Sequence, residues 1–243
     1  MEFKQTDVEF MTKQIERLRN FLKELDIDLS IRLVNTFTFE CKRNSSRAKE
    51  LIVNYVKLTG GDYELAKGRV QSKEFIDLIN AFKFFQVDGA KRVNKRLKLY
   101  YGPQGGGKTT EALKEADGNC IICNSSMLPS DLLEDFKLSD GKGNLVASPL
   151  MKAMKEGKPI VLDEISMLSM QSLRMLQGLL DNKETFNYKG EVINIKDGFQ
   201  VIGTMNLFVN GTCYSLPAPL VDRAYELKEF DLSPAKLLEY AFE

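Results

Sequence analysis

Apolar positions recur at helical spacing through the first third of the chain. Val8, Met11, Ile15, Leu18, Leu22 and Leu25 fall three and four apart, which predicts a helix over about residues 6–26. The seam is too short for a self-standing coiled coil, so docking on its own domain or pairing with another subunit are both open. Residues 30–40 (SIRLVNTFTFE) alternate and carry β-branched and aromatic side chains, which predicts a short strand or extended passage. A second helix is expected from Ser45 to Leu58, stopped by Gly60 and Gly61. Asp62 and Ser72 are placed to cap a third and a fourth, the last with Phe75, Leu78, Ile79 and Phe82 on one face. Three short helices with a glycine turn pack as a bundle or act as a helix-turn-helix. Lys91, Arg92, Lys95, Arg96 and Lys98 then read as a solvated basic connector.

From residue 97 the pattern changes. Short continuous apolar runs at 97–101, 120–123, 160–162, 199–202 and 225–230 alternate with helical stretches. Such runs suit strands buried on both faces of a parallel sheet, and strands alternating with helices make an α/β fold. The expected organisation is a small, mainly helical domain over 1–95 and an α/β domain over 96–243. No internal repeat or low-complexity segment interrupts either part.

Composition narrows the chemistry. With 243 residues, 43% of them apolar, the chain can bury a sizeable core. No run of 18 apolar residues occurs, so no membrane span is expected, and MEFKQTDVEF lacks the apolar region of a secretory leader. A cytoplasmic protein is expected. Histidine is absent, which excludes Ser-His-Asp catalysis, Cys-His nucleophiles and histidine-ligated zinc. The net charge is zero but unevenly spread: residues 1–98 hold 20 Lys and Arg against 14 Asp and Glu. That mild basic excess fits an ordinary surface, or contact with nucleic acid or an acidic partner. Cys120 and Cys123 form a C-x-x-C pair without a second pair to complete a zinc site, and they read as buried strand cysteines.

Three motifs carry chemistry. Gly102-Pro103-Gln104-Gly105-Gly106-Gly107-Lys108-Thr109 fits G-x-x-x-x-G-K-[ST] in full, with a predicted strand before it and a helix-prone stretch beginning Thr109-Thr110 after it. Glycines let backbone N–H groups wrap a phosphate, and the following helix offers its positive end to the same anion. Lys108 can reach the β- and γ-phosphates of ATP, and the Thr109 hydroxyl can ligate Mg²⁺. Residues 159–166 (PIVLDEIS) deliver Asp163 and Glu164 at the end of an apolar strand, where open α/β sheets bind ligands. Asp163 is placed to hold Mg²⁺, and Glu164 to act as general base toward water. In residues 200–206 (QVIGTMN) a buried strand ends on Asn206, which can orient that water. Arg223 closes the stretch 216–223 (LPAPLVDR) as a candidate arginine finger, or as a partner of Asp222 or Glu226.

The order GPQGGGKT, VLDEIS, VIGTMN, LPAPLVDR resembles that of AAA+ P-loop ATPases, and more narrowly of their MoxR and McrB/dynein-related branch. Residues 131–136 with 143–157 resemble the segment where these ATPases carry an insertion in their second helix. Residues 179–195 resemble their hairpin before the sensor strand. The likeness covers about residues 97–230. It implies a P-loop NTPase core, with Lys108 and Thr109 as Walker A, Asp163 and Glu164 as Walker B, and Asn206 as sensor 1. It also implies Arg223 acting in trans within a self-assembled ring, usually a hexamer, that uses ATP to remodel a client protein complex. One departure stands out. About 13 residues follow Phe230 and contain no arginine, so little or no C-terminal lid and no sensor 2 are expected. Two other functions stay open. Superfamily 3 helicases also place helices before a similar core, which would make the chain a DNA motor. A nucleotide-gated binding module with little turnover is the third reading. The small size and lone ATPase core suggest a phage or mobile-element source, and hence a host cytoplasm.

Overall fold

The computed structural model describes residues 5–83, 95–139, 142–181, 183–209, 212–213 and 215–231. The chain divides into two compact units, Met1–Val93 and Asn94–Glu243.

The described residues of the first unit form helices joined by short turns: α1 (Gln5–Lys23), α2 (Ile31–Arg43), α3 (Ser45–Thr59), α4 (Tyr63–Arg69) and α5 (Lys73–Phe82). The seam on α1 is buried only in its second half. Leu18 and Leu22 are inaccessible whereas Val8 is 49% exposed. Residues 30–40 form helix α2, not a strand. Ser30 caps it by accepting the Leu33 N–H at 3.0 Å, and Leu33, Phe37 and Cys41, four apart, point into the core. Burial of that one face outweighs the β preference of its valine, threonines and phenylalanines, because local propensity is weak beside tertiary packing. The remaining stops fall as expected. Gly60 ends α3 in the left-handed conformation, and Asp62 and Ser72 cap α4 and α5 by accepting the N–H of Leu65 and Phe75. Phe21 stacks on Phe75 with ring centres 4.5 Å apart, and Phe37 meets both Phe75 and Phe82.

The second unit is built on a five-stranded parallel sheet. In chain order its elements are β1 (Leu97–Gly102), α6 (Lys108–Glu115), β2 (Cys120–Ile122), α7 (Pro129–Leu133), β3 (Glu134–Ser139), β4 (Lys142–Ala147), α8 (Pro149–Glu156), β5 (Pro159–Asp163), α9 (Met170–Leu179), β6 (Thr185–Tyr188), β7 (Glu191–Asn194), β8 (Gln200–Asn206), β9 (Phe208–Val209), β10 (Thr212–Cys213), α10 (Ala218–Val221) and β11 (Ala224–Glu229). The sheet order is β11-β1-β8-β5-β2. Every pairing within it is parallel, so this is the α/β P-loop NTPase architecture. On one face Tyr100, Val161 and Ile202 pack against Ala112 of α6, against Ala116 just past its end and against Phe230. Leu99, Ile160, Leu162 and Val201, which alternate to the other face, are equally buried. Among the described residues three antiparallel pairs stand outside the sheet: β3–β4, with Phe136 opposite Leu145, β6–β7, with Phe186 opposite Ile193, and β9–β10, with Val209 opposite Thr212.

The basic connector is not simply solvated. Arg96 donates to the carbonyls of Asp181 and Lys183 at 2.7 and 2.6 Å, and Lys98 is ion-paired with Glu115 and Glu226. Lys91 and Arg92 lie outside the described residues, as does 232–243, where the lid was expected to be short or missing. Among the described residues no helix is long and apolar enough to cross a membrane.

Candidate nucleotide site

Strand β1 runs straight into the glycine loop. Gly102 has φ 144°, and a Cβ there would stand 2.1 Å from the carbonyl oxygen of Phe230, whose N–H donates to the Tyr101 carbonyl at 2.8 Å. Only glycine lets the loop leave the sheet this close to the neighbouring strand. Gly107, at φ 81°, then opens α6, so the first-turn N–H groups of α6 face the space above the loop.

Lys108 is only 6% exposed. Its ammonium donates to the carbonyls of Gly102 at 3.2 Å and Pro103 at 2.6 Å. Burial pushes its pKa down, while Asp163 and Glu164 pull it back up. A buried cation held mainly by carbonyl dipoles suits an incoming anion.

The carboxylates come from β5. Asp163 Oδ1 accepts two hydroxyl protons, one from Thr109 at 2.7 Å and one from Thr204. With its proton committed, the Thr109 oxygen keeps lone pairs for a cation, and Asp163 keeps its second oxygen. A hydroxyl beside a carboxylate is the hard-oxygen donor set that Mg²⁺ takes, usually completed by water and phosphate. Glu164 stands in the left-handed region at φ 56°, uncommon for a residue with a side chain. Asn206 Nδ2 donates to Glu164 Oε1 at 3.3 Å. Together these groups line a cleft of about 380 Å³ at the carboxyl edge of the sheet, bounded by Gln104–Thr110 on one side and by Asp163, Glu164, Thr204 and Asn206 on the other.

Arg223 is not part of this cleft. It precedes Ala224, which pairs with Leu97, whereas the glycine loop begins where Gly102 ends β1. The two are separated by the length of the strand, roughly 17 Å. The guanidinium binds Asp181 through Nε at 3.0 Å and Nη2 at 2.9 Å, and Nη1 donates to the Pro219 carbonyl. Its ion partner is thus Asp181, rather than Asp222 or Glu226. Thr204 is the cleft residue that the sequence reading passed over, although it lies inside the 200–206 motif two positions before Asn206. Strand alternation puts the two on one face.

The C-x-x-C pair is peripheral to this chemistry. Cys120 and Cys123 are free, the first half-buried and the second buried. Among the described residues no group of three or more metal-ligating side chains gathers round them.

The sequence model of the AAA domain, dynein-related subfamily, matches residues 99–224. An uncharacterized protein of Staphylococcus saprophyticus is 35% identical over 141 residues, 53% of this chain and 53% of that protein. An uncharacterized protein of Staphylococcus aureus is 38% identical over 132 residues, 49% of this chain and 50% of that one. The chain spans about half the length of the curated relatives it matches. A candidate ATPase of Cytophaga hutchinsonii, of known structure, aligns with a TM-score of 0.46 at 16% identity, over 84% of this chain and 56% of that one. The matched region runs from inside β1 to the first residue of β11 and takes in the glycine loop, both carboxylates, Asn206 and Arg223. The chain belongs to the AAA family of P-loop ATPases, in its dynein-related subfamily.

Proposed function

We propose that this chain hydrolyses Mg-ATP as part of a ring-forming motor that remodels a partner protein complex. The observation that carries the reading is the convergence on one cleft of a buried lysine, a hydroxyl–carboxylate pair and a second carboxylate tethered by an amide. Lys108 and the α6 N-terminus bind the phosphates. Thr109 and Asp163 hold the metal. Glu164 takes a proton from water at its carboxylate, and Asn206 fixes the direction in which that carboxylate points. The bound nucleotide, with its metal, supplies the phosphoryl group transferred to water.

Two features support assembly. Arg223 lies at the opposite end of β1 from its own glycine loop, too far to serve its own nucleotide, so as a finger it serves a neighbour's. Its Nε and Nη2 converge on the single oxygen Oδ1 of Asp181, which sets the orientation of the planar guanidinium.

The test is steady-state hydrolysis of Mg-ATP across protein concentration, with and without single-stranded DNA. Glu164→Gln should bind ATP normally and turn over roughly 10²- to 10⁴-fold more slowly, as loss of a general base requires. A normal rate in that variant would remove Glu164 from the mechanism. Strong, salt-sensitive stimulation by DNA would replace the remodelling role with a nucleic-acid motor.

A further inference from the structure

We infer that Thr204 is a positioning residue that fixes the metal-binding carboxylate and the general base relative to each other through a single hydroxyl. The inference rests on the ATPase reading above. Thr204 is 1% exposed, in the middle strand of the sheet. Strands β5 and β8 pair in parallel with Leu162 level with Gly203, so one step further Asp163 comes level with Thr204. A hydroxyl donates one hydrogen bond and accepts two. Thr204 donates to Asp163 Oδ1 and accepts the backbone N–H of Glu164 at 3.1 Å.

That second bond bears on the strained residue. Glu164 holds φ 56° and ψ 44°, a conformation that costs a residue with a side chain free energy and persists only where its surroundings enforce it. Three tethers enforce it here: the Thr204 oxygen on its N–H, the Met167 N–H on its carbonyl at 2.8 Å, and Asn206 on its carboxylate. Of these three tethers, Thr204 is the one whose side chain also bonds Asp163. Thr109 completes the chain from the glycine loop, because its hydroxyl reaches the same carboxylate oxygen.

Thr204→Val removes the hydroxyl at nearly constant shape, and Thr204→Ser keeps it. Because the hydroxyl bonds the carboxylate and the Glu164 N–H together, its loss should lower kcat roughly 10- to 100-fold while the KM for ATP stays within about threefold. The serine variant should recover most of the rate. A second readout needs no nucleotide: amide exchange in the peptide containing Glu164 should quicken roughly tenfold in the valine variant of the unliganded protein and stay slow in the serine variant. If the valine variant does not fold, Thr204→Ala, which cannot overpack the strand, takes its place. Turnover within twofold of wild type in the valine variant would overturn the proposal. So would a serine variant as impaired as the valine one, since packing rather than the hydroxyl would then be responsible. A wild-type chain that binds but never hydrolyses ATP would instead remove the ATPase reading. Exchange at Glu164 would then still decide whether Thr204 holds that turn.

Discussion

Burial sets the chemistry of single side chains in both units. Cys41 and Cys123 are 0% and 3% exposed. Burial pushes both thiols up to about 12, countered at Cys41 by Lys83 and reinforced at Cys123 by Cys120, Asp163 and Glu164. At pH 8 only about one thiol in 10⁴ is then ionised, and the thiolate is the reactive form. Iodoacetamide at pH 8 should leave both unmodified in the native protein and label both in denaturant, as peptide mass mapping would show. Because the folded-state values lie above the ordinary 9, the two groups favour the folded state fully below about pH 9, and that contribution is lost as pH rises toward 12. Fast labelling of Cys123 under native conditions would mean that β2 opens readily from the sheet edge. Burial of Cys123 was legible from the apolar run around it, whereas Cys120 on the edge strand β2 is only half-buried and Cys123 itself lies just past that strand. The partner of Arg223 was not legible, because Asp181 lies 42 positions away and only the fold brings the two together.

At the scale of elements, contiguous motifs were legible and pairings between distant segments were not. The glycine loop, the Asp163-Glu164 turn and the Asn206 strand end are each written in fewer than ten consecutive residues, and the structure brings them to one edge. Helix α2 is ambiguous in sequence because its β-branched and aromatic residues satisfy two periodicities at once. The four-residue spacing of Leu33, Phe37 and Cys41 prevails once a core exists to bury it. Arg96 and Lys98 looked like solvent charges because their partners lie on α6, β11 and the segment after α9. The junction of β1 with the loop shows what such proximity demands. Gly102→Ala would put a methyl 2.1 Å from the Phe230 carbonyl at a φ of 144° that alanine avoids. Relief requires moving either β11 or the loop, at a cost of at least about 2 kcal/mol. For a unit of this size that is a fall of roughly 4–8 °C in Tm. Calorimetry should show that fall, and nucleotide affinity should weaken with it. An unchanged Tm would mean that the end of β11 yields freely.

For the whole molecule, the proposed mechanism divides its site between opposite ends of β1. The carboxyl end carries Lys108, Asp163 and Glu164, and the amino end carries Arg223. Neither end can complete the other within one chain, since roughly 17 Å of strand lies between them. If Arg223 serves as the finger, its site needs the amino end of one subunit against the carboxyl end of the next. Such a head-to-tail contact closes into a ring or runs on as a filament. It follows that specific activity should rise with protein concentration and that two inactive variants should repair each other. Arg223→Ala supplies an intact cleft without the finger, and Lys108→Ala supplies the finger beside a cleft that cannot hold phosphate. In an equimolar mixture some interfaces pair the good cleft of the first with the good finger of the second, so activity should reappear well above the sum of the separate variants. Asp181→Asn, which loosens the guanidinium without removing it, should fall between wild type and Arg223→Ala and should itself be rescued by Lys108→Ala subunits. A mixture no more active than its components, in subunits shown by light scattering to co-assemble, would confine Arg223 to its pairing with Asp181 inside its own chain.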